Sequence, residues 1–229
     1  MPEDIIKILR EHFYIPLYFI TWLISVLRYK RFFDTPLQYL PMLIIYTFFT
    51  ELLGYFIKFS DEYQFFSDER YNWHNVVIFN IYQMVFFLFF LRVYQKTLKD
   101  PGTKKWVSWG SIACILIYLA NSLWQNPLHE QLSYAHILVS IMLVVVLVLY
   151  FREKHREENP ISLKYNLMFW VSMGLLIFYS IFPLILIAYK IDLKLGTYIY
   201  LRPILICLIV SMYACIITGL LVGKRKAFR

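Results

Sequence analysis

Charge is what this sequence has least of. Asp, Glu, Lys and Arg make up 17% of its 229 residues, against about 25% in soluble domains. A deficit of that size removes the usual water-facing coat and points to lipid as the solvent of much of the surface. Cysteine is also scarce. Cys114, Cys207 and Cys215 all fall inside apolar runs, which excludes a disulfide framework and any redox or metal spacing built on thiols. The seven glycines are scattered singly, so no glycine-rich loop can cradle a phosphate. The charge balance is +8, yet no separate basic domain carries it. Nucleic acid is therefore not an expected partner. The opening Met1-Pro2-Glu3-Asp4 lacks a basic n-region and no small-residue cleavage site follows, so the first apolar stretch is expected to remain as a membrane helix.

What fills the chain instead is apolar and aromatic: 60% hydrophobic residues, 20% of the total being Phe, Trp or Tyr. They form runs of roughly 20 residues, the length a helix needs to cross a hydrocarbon core of about 30 Å. Seven runs can be read, over about 11–27, 37–59, 73–94, 106–124, 132–151, 165–189 and 198–222. Tyr or Trp stands at or near most of their ends, where amphipathic rings meet headgroups. The expected fold is an all-α integral membrane bundle of seven helices, a single domain over residues 1–229. No internal repeat, linker or low-complexity segment divides it.

Orientation follows from the short connecting segments. Alternate connections hold the Lys and Arg groups 28–31, 92–105, 152–164 and 224–229, which account for 16 of the 23 basic residues, while the opposite side holds Lys7, Arg10, Lys58, Arg70, Lys190, Lys194 and Arg202. The richer side is cytoplasmic by the positive-inside rule. That puts the N-terminus outside and the C-terminus in the cytoplasm, as expected of a multi-pass protein of the cell membrane.

Polar groups inside spans are costly, so their depth is informative. Glu51 lies about two turns from the outer end of the second span. Asn75, Asn80 and Gln83 descend from the outer end of the third, and Asn121 stands near that end of the fourth. Ser133, His136 and Ser140 share one face of the fifth. Tyr179 and Ser180 precede Pro183, and Arg202 precedes Pro203. The inner halves 85–91 and 143–149 are wholly apolar. This asymmetry is what an outward-facing cavity requires. It makes Glu51, Asn75, Asn80, Gln83, Asn121, His136 and Arg202 the candidate ligand-binding residues. The bland alternatives are that Glu51 pairs with Lys58 or Arg202, that the amides are interhelical hydrogen-bond glue, and that His136 is satisfied within the bundle. In the seventh span, Cys207, Ser211, Cys215, Gly219 and Gly223 recur every fourth residue, a ladder that lets another helix approach closely. The acidic, aromatic loop 60–71 is a candidate lid; an ordinary solvated loop is its alternative.

The topology resembles rhodopsins and seven-helix receptors in outline only. A retinal protein needs a lysine in its last span, and none lies between Tyr198 and Val222. Leu91-Arg92-Val93-Tyr94 lacks the acid of the receptor triplet, so no residue role carries across. Seven-span zinc hydrolases need converging histidines. His74, His129 and His136 could approach Glu51, but no His-x-x-x-His pair occurs, and no metal or other cofactor is expected. The expected function is a receptor-like or sensor protein that binds a small ligand within the membrane and acts through a cytoplasmic or membrane partner protein, with the basic segment 92–105 as a docking surface. Alternatives are a small transporter or channel component, an intramembrane lipid enzyme, or an assembly subunit. An enzymatic role is not favoured.

Overall fold

The computed structural model describes residues 12–59, 63, 75–157, 163–191 and 198–225. Among them all regular structure is helical, in seven α-helices: α1 (Tyr14–Leu27), α2 (Leu40–Phe59), α3 (Val76–Thr97), α4 (Pro101–Asn121), α5 (Ser133–Arg156), α6 (Leu167–Ile191) and α7 (Tyr198–Val222). Five of these, α2, α3, α5, α6 and α7, are long and apolar enough to cross a membrane. α1 is a shorter apolar helix of 14 residues, about 21 Å long at 1.5 Å per residue. α4 opens on Pro101-Gly102-Thr103-Lys104-Lys105 and turns apolar at Trp106. Large apolar side chains such as Met42, Phe49, Trp109, Leu116, Leu138 and Leu184 are exposed on the outward faces. Water would not tolerate so much contiguous apolar surface; lipid does.

Local chemistry sets the helix ends. The Asp100 carboxylate accepts the Thr103 N–H and the Thr103 hydroxyl, both at 2.6 Å, and Pro101 follows it at the first helical position. Both are strong start signals, and they begin α4 well before its apolar run. Asn166 Oδ1 accepts the Met168 N–H at 2.9 Å and so caps α6. At the end of α7, Arg31 Nη1 donates to the carbonyls of Leu221 and Gly223, both at 3.1 Å. Arg225 then pairs with Asp34 at 2.7 Å. A cation on the exposed carbonyls of a helix C-terminus is favourable on both charge and hydrogen-bond grounds.

Neighbouring helices pack in the order α1–α2–α3–α5–α6–α7 and back to α1, a closed ring of six. α4 stands outside it, against α3 and α5. The α6–α7 contact is close because of glycine. A Cβ added at Gly174 would meet the Met212 carbonyl oxygen at 2.8 Å, and one at Gly219 would meet Trp170 Cβ at 2.7 Å. The small-residue ladder of α7 thus packs on α6 over its second half, whereas Cys207 and Ser211 face outward and are exposed.

Two different ends result. One, the basic end, gathers the α1–α2, α3–α4 and α5–α6 connections with the last residues of α7. There Lys154 bonds Glu157 at 2.7 Å and Lys99 lies 3.1 Å from its other oxygen, an ion pair without an aligned hydrogen bond. Burial, the largest single influence, pushes the Glu157 carboxyl up, but the two lysines together outweigh it and hold the carboxyl below its ordinary 4.5. A carboxyl lowered in the folded protein contributes stability above its unfolded value and loses it as pH falls through the folded value. Melting of the purified protein in detergent is therefore expected to weaken as pH falls below about 4.5, with Glu157→Gln removing about 0.5 kcal/mol of that dependence. An unchanged acid profile in Glu157→Gln would show that the pair contributes nothing.

Candidate functional site

The other end of the bundle encloses two joined chambers. The aromatic chamber, about 440 Å³, is walled by all six helices of the ring: Tyr18 from α1, Thr47 and Glu51 from α2, Tyr82, Gln83 and Phe86 from α3, His136 from α5, Phe178, Tyr179 and Phe182 from α6, and Met212 and Tyr213 from α7. The polar chamber, about 470 Å³, is lined by His12, Tyr14, Lys58, Tyr189 and Arg202 among others. Glu51, Asn75, Phe79, Leu205 and Ile209 line both and form the junction. Both volumes fall in the range of small-molecule sites.

Glu51 stands at this junction because it is one turn beyond Thr47 on the inward face of α2. Among the described residues its carboxylate has no hydrogen-bond or ion-pair partner. Lys58 and Arg202, with which it was a candidate to pair, share the polar chamber but bind it at neither oxygen. Thr47 is already engaged: its Oγ1 donates to the Leu43 carbonyl at 2.9 Å and meets the Tyr82 hydroxyl at 2.9 Å. Asn75 Nδ2 donates to the Gly54 carbonyl at 2.8 Å. That approach relies on glycine, since a Cβ at Gly54 would meet the Phe79 ring at 2.9 Å.

Two further groups face the aromatic chamber unsatisfied. Gln83 Oε1 is buried without a hydrogen-bond partner, and so are both ring nitrogens of His136. The imidazole is 3% exposed. It sits edge-on to Phe87 at 5.3 Å and against Phe182 at 4.9 Å, contacts that fill space but accept and donate no hydrogen bond. His136 is thus not the satisfied core histidine that the bland alternative supposes. Buried polar groups are nearly always paired, so these two unpaired groups, on one void with the half-buried and unpaired Glu51, are informative.

Of the remaining sequence candidates, Asn80 and Asn121 lie outside both chambers. Asn80 donates to the carbonyls of Pro127 and Glu130 at 2.8 and 2.9 Å and accepts the Leu132 N–H at 3.0 Å. Asn121 donates to Gln125 at 2.9 Å and accepts the Ala135 N–H at 2.8 Å. Both amides are spent holding the α4–α5 connection, which makes them glue of the kind the sequence left open. Arg202 is exposed at the rim of the polar chamber. The candidate lid 60–71 lies outside the described residues apart from Tyr63, whose ring packs on Phe56 at 5.4 Å. No group of three His, Cys, Asp or Glu gathers among the described residues to hold a metal; His74 lies outside them.

No family model matches the chain, and no curated protein or solved structure matches it.

The tyrosines of the wall are what sequence reasoning passed over. Tyr18, Tyr82 and Tyr213 lie in mid-helix, and their rings face inward: Tyr18 lies on Tyr213 at 4.6 Å and Tyr82 on Phe86 at 5.8 Å. The signal was their depth. A ring that belongs to the headgroup belt stands at a span end, and these do not.

On the far side of this chamber the interior closes. Phe87, Phe90, Leu91, Leu143, Leu147, Val171 and Leu175 are all fully buried in one core, and Tyr94 meets Ser172 beneath them at 2.7 Å.

Proposed function

We propose that the protein is a receptor-like or sensor protein of the cell membrane that binds a small ligand in the two joined chambers and acts through a partner protein. The observation that carries this reading is the Glu51 carboxylate, unpaired at the mouth of an aromatic void. Burying a polar group without a partner costs about 1–3 kcal/mol, and more for a charged one. Such a cost is sustained where a ligand relieves it.

In this reading all seven helices cross the bilayer. The support is their common course: α1 and α4 run between the same two ends as the five long apolar helices. The basic end is the cytoplasmic one, so the N-terminus and the chambers face outward. Arg92, Lys96, Lys99 and Lys105 are exposed there and give a partner a basic docking surface. The packed layer below the chamber favours a binding protein over a transporter, which needs a polar route onward.

Two measurements test it. An N-terminal epitope tag is expected to stain on intact cells and a C-terminal tag only after permeabilisation; the reverse pattern would overturn the orientation. In nanodiscs, a thermal-shift screen of small polar and amphipathic molecules is expected to yield binders. Ile209→Trp, which puts an indole at the junction, is expected to abolish their shift while leaving the melting temperature of the free protein within a few degrees. Binders that are indifferent to Ile209→Trp would place the site outside the chambers.

A further inference from the structure

Among the described residues that line the aromatic chamber, Glu51 is the only Asp, Glu, Lys or Arg, and its unpaired oxygens are acceptors only. Among its polar neighbours, the Thr47 hydroxyl is committed to Leu43 and Tyr82, and the Asn75 amide gives one N–H to Gly54. Gln83 Oε1, the other unmet group on the adjoining helix, is also an acceptor. Around them stand the aromatic rings of Tyr18, Tyr82 and Tyr213, with those of Tyr179 and Phe182 on the α6 wall. Unmet acceptors, a carboxylate and surrounding aromatic rings define the chemistry of what fits.

We infer that the ligand is a monovalent organic cation, a protonated or quaternary amine on an apolar or aromatic body. Its ammonium lies at the Glu51 carboxylate and its body lies along the tyrosine and phenylalanine wall toward His136. This rests on the chambers being a ligand site at all and specifies what that site takes. An anion would meet Glu51 as a like charge in a poorly screened interior. A neutral donor would make bonds about half as strong as charge-assisted ones and gain nothing from the ring faces. A cation gains from both. The polar chamber limits the charge to one: Lys58 and Arg202 line it, so a second positive group extending that way would be repelled.

The test uses the full chain in nanodiscs and four probes that share a phenylpropyl body: the primary amine, the trimethylammonium salt, the alcohol and the carboxylate. Affinities are read by thermal shift and by calorimetry. The two cations are expected to bind at least tenfold more tightly than the alcohol, and the carboxylate not at all. Glu51→Gln is expected to lose at least tenfold for the cations and to leave the alcohol unchanged. Alcohol or carboxylate binding as well as the cations would overturn the inference while leaving the chambers a ligand site. Equal cation affinity in a folded Glu51→Gln protein would overturn it likewise. If none of the four binds at millimolar concentration, the inference and the ligand site fall together. The wild-type comparison among probes does not depend on the variant folding.

Discussion

Replacing Gly174 by alanine is expected to destabilise the protein by about 2–3 kcal/mol, the upper part of the range for overpacking. The added methyl would sit 2.8 Å from the Met212 carbonyl oxygen and 3.1 Å from Cys215 Cβ. Neither atom is the end of a flexible side chain, so relief requires α6 and α7 to move apart. Gly219→Ala is expected to act similarly, since Trp170 Cβ lies 2.7 Å from the new atom. Gly110→Ala is the control. There the closest atom is Met142 Sδ at 3.2 Å, a side chain that can give way, and alanine gains up to about 1 kcal/mol of helix propensity. Thermal unfolding of the three variants in one detergent checks the ordering. A Gly174→Ala protein as stable as wild type would mean that the helices do not approach so closely.

The second large effect concerns Asn80. Asn80→Leu removes three hydrogen bonds at once and strands the carbonyls of Pro127 and Glu130 and the N–H of Leu132. At about 1–3 kcal/mol for each stranded group, discounted because surface water reaches some of them, the expected loss is on the order of 3–5 kcal/mol. Its value lies in the contrast with Glu51 and Gln83. Asn80→Leu should depress melting and leave the affinity of the folded fraction unchanged, whereas Gln83→Leu should do the reverse. Melting curves and binding measured on the same preparations separate the two. A marked affinity loss in Asn80→Leu without destabilisation would move Asn80 into the site.

These contrasts mark where the sequence was legible. The apolar runs located all seven helices, and α7 over residues 198–222 agrees at both ends. Depth was legible too, because residue number converts to distance along a helix. It placed Glu51, Gln83 and His136 at the level of the void. Direction around the axis was not legible. Helices such as α5 and α7 are apolar on nearly every face, so no amphipathic stripe says which side chains point inward. Asn80 and Gln83 are neighbours on one helix at similar depth, yet one stitches a connection and the other faces the chamber. The start of α4 was missed for a different reason. Hydropathy begins the span at Trp106, but the cap and the following proline, Asp100 and Pro101, begin the helix earlier. Capping chemistry marks that boundary, and a hydropathy scan does not weigh it.

The position of α4 outside the ring has a consequence for how this molecule tolerates change. Its inner side is fixed by Val107, Gly110, Cys114, Tyr118 and Asn121 against α3 and α5. Its other side is exposed at Trp106, Trp109, Ile112, Leu116 and Leu119, and no residue of α4 is among the described residues that line the chambers. Mutational scanning should therefore find the most permissive helix in the middle of the chain, and the strictest in its first and last helices, which meet to close the circle.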